Sequence, residues 1–173
     1  MILLALLVLA SPDLPELQAA SPFYLRVSKT EAGYEIALMN RSKKPHYFYF
    51  DSVLQPVEPV LVDVEGRIMT ALRMDAPALA RDARAWRKNF RWLGAGQQVP
   101  IASATISGSA LEKFRLDSKP FMVDLLDAGR YKLSFVWRSR VQKCEDCTPE
   151  QDRERDKLWT GVIRSNELEV VLK

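Results

Sequence analysis

The chain is poor in the residues on which most catalytic and metal chemistry depends. It holds a single histidine, His46, and only two cysteines, Cys144 and Cys147. One histidine leaves no second imidazole for a metal centre and confines any histidine-assisted nucleophile to what His46 can reach. His46 opens the aromatic run HYFYF after a Lys-Lys-Pro turn, which reads as a part-exposed strand residue and not as a general base. No G-x-S-x-G nucleophile turn and no G-x-x-x-x-G-K phosphate loop occurs, and the SGSA of Ser107 to Ala110 reads as a strand-end turn. Carboxylates are plentiful in loops but show no buried setting that would separate their pKa values, so a glycosidase has no support. The expectation is a non-enzyme with no catalytic residue, no metal site and no cofactor.

Charge of one sign is also lacking. Lys and Arg number 25 against 22 Asp and Glu, a net +3, with both signs interspersed. That is a solvated surface and gives no footprint for nucleic acid. There is no internal repeat. The one long apolar run is MILLALLVLA at the start, too short to span a bilayer, followed by the Pro-rich SPDLPELQAASP. It reads as the hydrophobic part of a signal peptide without the usual positive start, with cuts after Ala10 or Ala19. No cysteine follows it to carry a lipid anchor. Residues 1–20 are therefore expected to be a leader, and 21–173 one domain with no membrane span, exported to a periplasm or beyond the cell.

What is present is a period of two. In FYLRVSK the residues Phe23, Leu25 and Val27 alternate with Tyr24, Arg26 and Ser28, and EAG turns the chain into YEIALMN, with Tyr34, Ile36 and Leu38 on one face. NRSKKP is a polar turn, and HYFYF is a short aromatic strand. PVLVDVEGRIMTAL reads as two strands joined at Glu65 and Gly66, and NFRWL with QQVPIASATIS as a pair around GAG, with Pro100 admissible only at an edge or bulge. GRYKLSFVWRSR alternates Tyr131, Leu133, Phe135 and Trp137 with Lys132, Ser134, Val136 and Arg138, and WTGVIRSNELEVVLK closes the chain with Leu168, Val170 and Leu172 on one face. About eight to ten short strands without alternating helices predict an all-β antiparallel sandwich or barrel.

One segment departs from this period. In DAPALARDARAWRKNF, Leu79, Ala83, Trp86 and Phe90 share one helical face, with Arg81, Arg84, Arg87 and Lys88 largely elsewhere. Asp75 can cap it and Pro77 suits a first turn, which predicts a short helical insertion over about 76–88, laid over one end of the sandwich.

The most specific pattern is DLLDAGRYKL. Asp127, Gly129, Tyr131 and Leu133 follow the spacing D-x-G-x-Y-x-apolar, which resembles the tyrosine corner of immunoglobulin-like sandwiches. YEIALMNRSKKPHYFYF resembles the B to C region, and GRYKLSFVW followed by LWTGVIRSNELEVVL the closing F to G hairpin, of immunoglobulin-like domains in bacterial exported proteins. The resemblance covers about 22 to 173 and implies an immunoglobulin-like antiparallel β-sandwich. Leu133 stands where antibody domains carry a cysteine, and HYFYF lacks their buried tryptophan. Such folds host adhesion, inhibition and assembly alike, so no single function is transferred.

Cys144 and Cys147 lie in KCEDC, within a charged stretch from Val141 to Lys157 that is expected to be a loop. A redox pair needs a helix N-terminus to lower a thiol pKa, and a zinc site needs four ligands where two cysteines and a distant histidine are on offer. In an exported protein a local disulfide remains, stabilising by at most about 2 kcal/mol and shaping the loop tip. Lys143, Glu145, Asp146, Asp152, Arg153 and Arg155 then become the expected binding loop, directed at a protein or a cell-envelope component. A metal- or redox-responsive protein using the CxxC pair, or a protease inhibitor presenting an end loop, are the alternatives.

Overall fold

The computed structural model describes residues 21–50, 57–73, 90–106, 114–116, 119–123, 127–139 and 148–172. The expected leader, the helical insertion, and Lys143, Cys144, Glu145, Asp146 and Cys147 lie outside these residues. Among the described residues twelve strands follow in chain order: β1 (Phe23–Thr30), β2 (Gly33–Asn40), β3 (His46–Tyr49), β4 (Val57–Asp63), β5 (Ile68–Arg73), β6 (Phe90–Leu93), β7 (Gln98–Ile106), β8 (Phe114–Leu116), β9 (Lys119–Val123), β10 (Gly129–Ser139), β11 (Gly161–Arg164) and β12 (Leu168–Leu172). Among the described residues one short helix, α1 (Pro149–Arg155), precedes β11. The protein is all-β, and every strand pairing is antiparallel.

The large sheet runs β1-β2-β7-β8-β9-β5-β4-β10, and β10 carries both β11 and β12 on its far edge. Alternation explains which face each strand turns inward. Phe23, Leu25 and Val27 of β1, Ile36 and Leu38 of β2, and Leu133, Phe135 and Trp137 of β10 are all buried in one core. Each such side chain contributes about 1.5–3 kcal/mol when removed from water. The β1–β2 turn is tight: Gly33 has φ +139°, and a Cβ there would collide with the Ala104 carbonyl. At the β4–β5 turn, Gly66 takes φ +83°. The Asp63 Oδ1 there accepts the N–H groups of Glu65 at 2.9 Å and Arg67 at 2.8 Å.

Pro100 lies at a flaw in the ladder. Ile36 pairs with Ala102 and Ala37 with Pro100, so Ile101 is the extra residue of a bulge, where a missing N–H costs little.

Three expectations are corrected. The strands on either side of GAG do not pair with each other: β6 joins β3 in a separate two-stranded ribbon, and β7 joins β2. The chain crosses between sheets at Gly94 to Gln97 because β2 and its Asn40 take up the groups that a hairpin would use. Gln97 O accepts from Asn40 N, and Gly96 N donates to Asn40 O, each at 2.9 Å. The resemblance makes HYFYF a strand C, which such sandwiches set beside strand F, but here β4 holds the place beside β10. Third, WTGVIRSNELEVVLK is not one strand. It breaks between β11 and β12, where the Ser165 N–H donates to the Phe135 carbonyl at 2.8 Å and the Ser165 Oγ accepts the Phe135 N–H at 2.9 Å. A serine side chain thus replaces one rung of the ladder.

Candidate functional site

The ribbon of β3 and β6 projects the most unusual surface of the molecule. Opposed residues on an antiparallel pair share a face. Phe48 and Leu93 therefore point into the core, while Tyr47 with Trp92, and Tyr49 with Phe90, point the other way. Tyr49 is covered by Leu158, with Phe90 packed beside it. Tyr47 and Trp92 stay open, at 41% and 62% exposure. The Tyr47 and Phe90 rings lie 5.3 Å apart.

Below the ribbon is an aromatic core that fixes its position. Phe23 meets His46, Phe48 and Trp159 edge to face at 5.9, 5.6 and 5.4 Å, and Trp137 meets Phe48 at 5.9 Å and Trp159 at 5.7 Å. His46 is thus a packing residue at the rim of this cluster. Asn40, buried at the end of β2, brackets the ribbon from below: its Nδ2 donates to the Lys44 carbonyl at 2.8 Å and to the Leu93 carbonyl at 2.9 Å. Its Oδ1 accepts the Ser42 N–H at 3.0 Å.

The stretch expected to be a binding loop reaches the same end of the molecule, and part of it is helical. Asp152 and Arg153 sit on α1, with Arg155 as its last residue, and Arg153 meets Glu150 at 3.7 Å on the exposed side. The signal was legible: Thr148-Pro149-Glu150-Gln151 places a capping threonine, a first-turn proline and an acidic first turn in order. The density of charge in the stretch masked it. Just beyond α1, Leu158 bridges to Tyr47 and the Trp159 N–H donates to the Tyr47 carbonyl at 2.9 Å.

That contact orients the whole ribbon. The Tyr47 main chain faces Leu158 and Trp159, so Tyr47 and Trp92 form a non-hydrogen-bonded pair. By the same alternation the Trp92 N–H and C=O turn away from β3, onto the outer edge of β6. Among the described residues nothing pairs with them. The Arg91 Nη1 donates to the Phe90 carbonyl at 3.0 Å, which sets its guanidinium on that same edge. Lys43 and Lys44 are exposed at the ribbon's end.

The residues expected to form a tyrosine corner are elsewhere. The Tyr131 hydroxyl donates to the Asp127 carbonyl at 2.7 Å, and Gly129 starts β10 opposite Leu172. Tyr131 and Trp137 stand about 20 Å apart along one strand, so this contact braces the far end of the sheet. The Asp63 carboxyl is at that end also. Burial pushes it up, but the hydrogen bonds and charge of Arg67 and the Glu65 N–H outweigh this and hold it below the usual carboxylate range. Val64, Ile68 and Val171 are exposed there as separate aliphatic side chains.

Among the described residues no group of three His, Cys, Asp or Glu side chains is placed to hold a metal ion. No helix among them is long and apolar enough to cross a membrane. Comparison with protein-family models, with curated proteins and with solved structures finds no match to this chain.

Proposed function

We propose that the protein is a non-catalytic binding or assembly module, exported to a periplasm or beyond the cell, whose partner is a protein or a cell-envelope component. The observation that carries this reading is the exposed Tyr47–Trp92 pair on a rigid ribbon beside the segment that leads out of the Cys144–Cys147 stretch. Large aromatic rings held open to water on a braced scaffold are the usual anchors of an interface, because they bury much area while losing few rotamers. Export is supported by the apolar first ten residues. An immunoglobulin-like sandwich is supported by the Tyr131 to Asp127 contact and by the β1-β2-β7 order, although here β8, β9 and β5 continue the hydrogen-bonded path to β4. The redox and metal alternative rests on Cys144 and Cys147 alone.

The test is a photo-crosslinking amino acid placed in turn at positions 92, 153 and 35 in the native host, Glu35 lying exposed on the large sheet. A cross-link to one envelope partner from 92 and 153 but not from 35 is the expected result. Equal labelling from all three, or from 35 alone, sinks the assignment of this end. Intact mass of the exported chain, with and without thiol alkylation, checks the rest. Loss of two hydrogens without alkylation supports the stapled loop, whereas two free thiols or a zinc-sized extra mass favours the redox or metal alternative.

A further inference from the structure

We infer that two copies of this chain pair through the outer edge of β12, in the register that sets Glu169 of each opposite Val171 of the other. The inference concerns the end of the sheet away from the Tyr47–Trp92 ribbon and goes beyond the binding-end reading. The open main-chain groups follow from β10. The Phe135 main chain bonds Ser165, so it faces β11 and β12. The register of β10 with β4 runs unbroken from Tyr131 to Trp137, so alternation turns Leu133 and Tyr131 the same way. These two form the hydrogen-bonded pairs with Leu168 and Val170, which leaves the N–H and C=O of Glu169 and Val171 on the far side of β12. Among the described residues nothing pairs with those groups. Both side chains are exposed, Val171 at 65%.

Charge selects a second copy as the occupant and fixes the register. Arg130 lies opposite Val171 on β10, so Arg130, Val171 and Glu169 share the outer face of the sheet. Arg130 and Glu169 are exposed, and among the described residues neither enters an ion pair. Lys132, which stands opposite Glu169, meets Glu167 instead at 3.7 Å. A two-fold axis through Val170 places Glu169 of the second copy next to Val171, two strand spacings or about 10 Å from the Arg130 main chain. An arginine and a glutamate side chain together span that gap over the valine. The axis makes the same ion pair twice, so this patch is its own complement. An axis through Glu169 would oppose the two glutamates, and one through Val171 would leave a row with an arginine at each end and no carboxylate between them. The paired strands run antiparallel, so the two Tyr47–Trp92 ends face opposite ways and stay open.

Sedimentation equilibrium of the full chain up to about 1 mM, with amide exchange read at low and high protein concentration, tests this. A monomer–dimer equilibrium is expected, with the Glu169 and Val171 amides slowing only as the dimer forms. Val171→Pro removes one edge N–H and spares β10, whose bonds run to Val170 and Leu172, and it should weaken the dimer at least about tenfold. If Val171→Pro fails to fold, charge exchange asks the same question. Arg130→Glu and Glu169→Arg should each weaken the dimer about tenfold, and the two together should restore it. A chain that stays monomeric to about 1 mM overturns the inference. So does a dimer that the combined exchange fails to restore, or one in which the Glu169 and Val171 amides are equally protected at every concentration. A monomer whose Glu169 and Val171 amides slow only when host extract is added also overturns it, and assigns the edge to an unlike partner.

Discussion

Asn166 grips the main chain of Val27 from both sides, its Oδ1 accepting the Val27 N–H at 2.9 Å and its Nδ2 donating to the Val27 carbonyl at 3.0 Å. A carboxamide has the same donor and acceptor spacing as a peptide group, so one side chain stands in for a rung of sheet. The position matters because, among the described residues, β1 has only β2 as a paired strand and would otherwise leave an open edge. Leu25 bridges to Ser165 beside it, so the two ends of the large sheet meet at the break between β11 and β12. The break that splits the last segment into two strands is therefore what places Asn166 against β1.

Replacing Asn166 by Ala should destabilise the protein by about 1–3 kcal/mol, because two part-buried main-chain groups lose their partner together. Urea unfolding reads the loss, and hydrogen exchange at the Val27 amide should speed up more than exchange at Ile36 in the neighbouring strand. An unchanged Val27 rate would show that the main chain finds water or another partner at no cost.

Asn40→Ala should cost about 2–4 kcal/mol, more than the surface position of a polar turn would suggest. Asn40 is only 1% exposed, and its removal leaves the buried Leu93 carbonyl without its side-chain donor. Because that donor also holds Lys44, the variant should loosen the ribbon, seen as raised exchange at Leu93 and a shifted Trp92 emission. Asn40→Asp keeps the acceptor for Ser42 and loses both donors, so it should fall near the Ala variant.

How much of this was legible follows from the range of the interactions. The inward faces of β1, β2 and β10 were readable because alternation is local, and the bulge at Pro100 was readable because a proline cannot give an N–H to a ladder. The partners of β6 were not: nothing within NFRWL distinguishes pairing with QQVPIASATIS from pairing with HYFYF, and the choice is made by Asn40, more than 50 residues upstream of Leu93. The Tyr47–Trp92 platform was missed for the same reason, since neither residue signals exposure until their strands are paired. The role of Asn166 was equally hidden, its partner lying 139 residues away.

The Asp63 carboxyl should titrate below the ordinary value of about 3.9, with a midpoint readable from its side-chain carbon shift by NMR. Its charged form is favoured in the folded state, so whatever it contributes is present above about pH 4 and is lost as pH falls through the lowered folded value. The Arg67 side chain is 70% exposed, so the effect on global stability should be small and screened by salt. Arg67→Ala should move the midpoint upward; an unmoved midpoint would refute Arg67 as the cause.

Two glycines allow steric and conformational effects to be separated. Gly66→Ala meets open space and only the strain of a positive φ, so a loss of about 1–2 kcal/mol is expected. Gly33→Ala adds a collision with the Ala104 carbonyl and a 3.1 Å approach to the Thr105 methyl, which forces β2 away from β7. Its loss should be larger, about 2–4 kcal/mol. Equal losses would mean that the sheet yields freely at this turn.

Trp137 offers the sharpest test of what the aromatic core contributes. Its ring is fully buried against Phe48, Phe50 and Trp159, yet among the described residues its indole N–H has no hydrogen-bond partner. Retaining a buried donor without an acceptor costs about 1–3 kcal/mol, which the ring's packing must outweigh. Trp137→Phe removes the orphan donor along with part of the ring, so the two effects offset and a loss of about 1–2 kcal/mol is expected. Trp137→Ala leaves the cavity without any comparable relief and should lose about 4 kcal/mol or more. Both follow from urea unfolding, with far-UV circular dichroism to show that the sheet persists. A Phe variant as damaged as the Ala variant would mean that the indole N–H is satisfied in solution, by water or by an aromatic face, and that the whole ring and its donor act together.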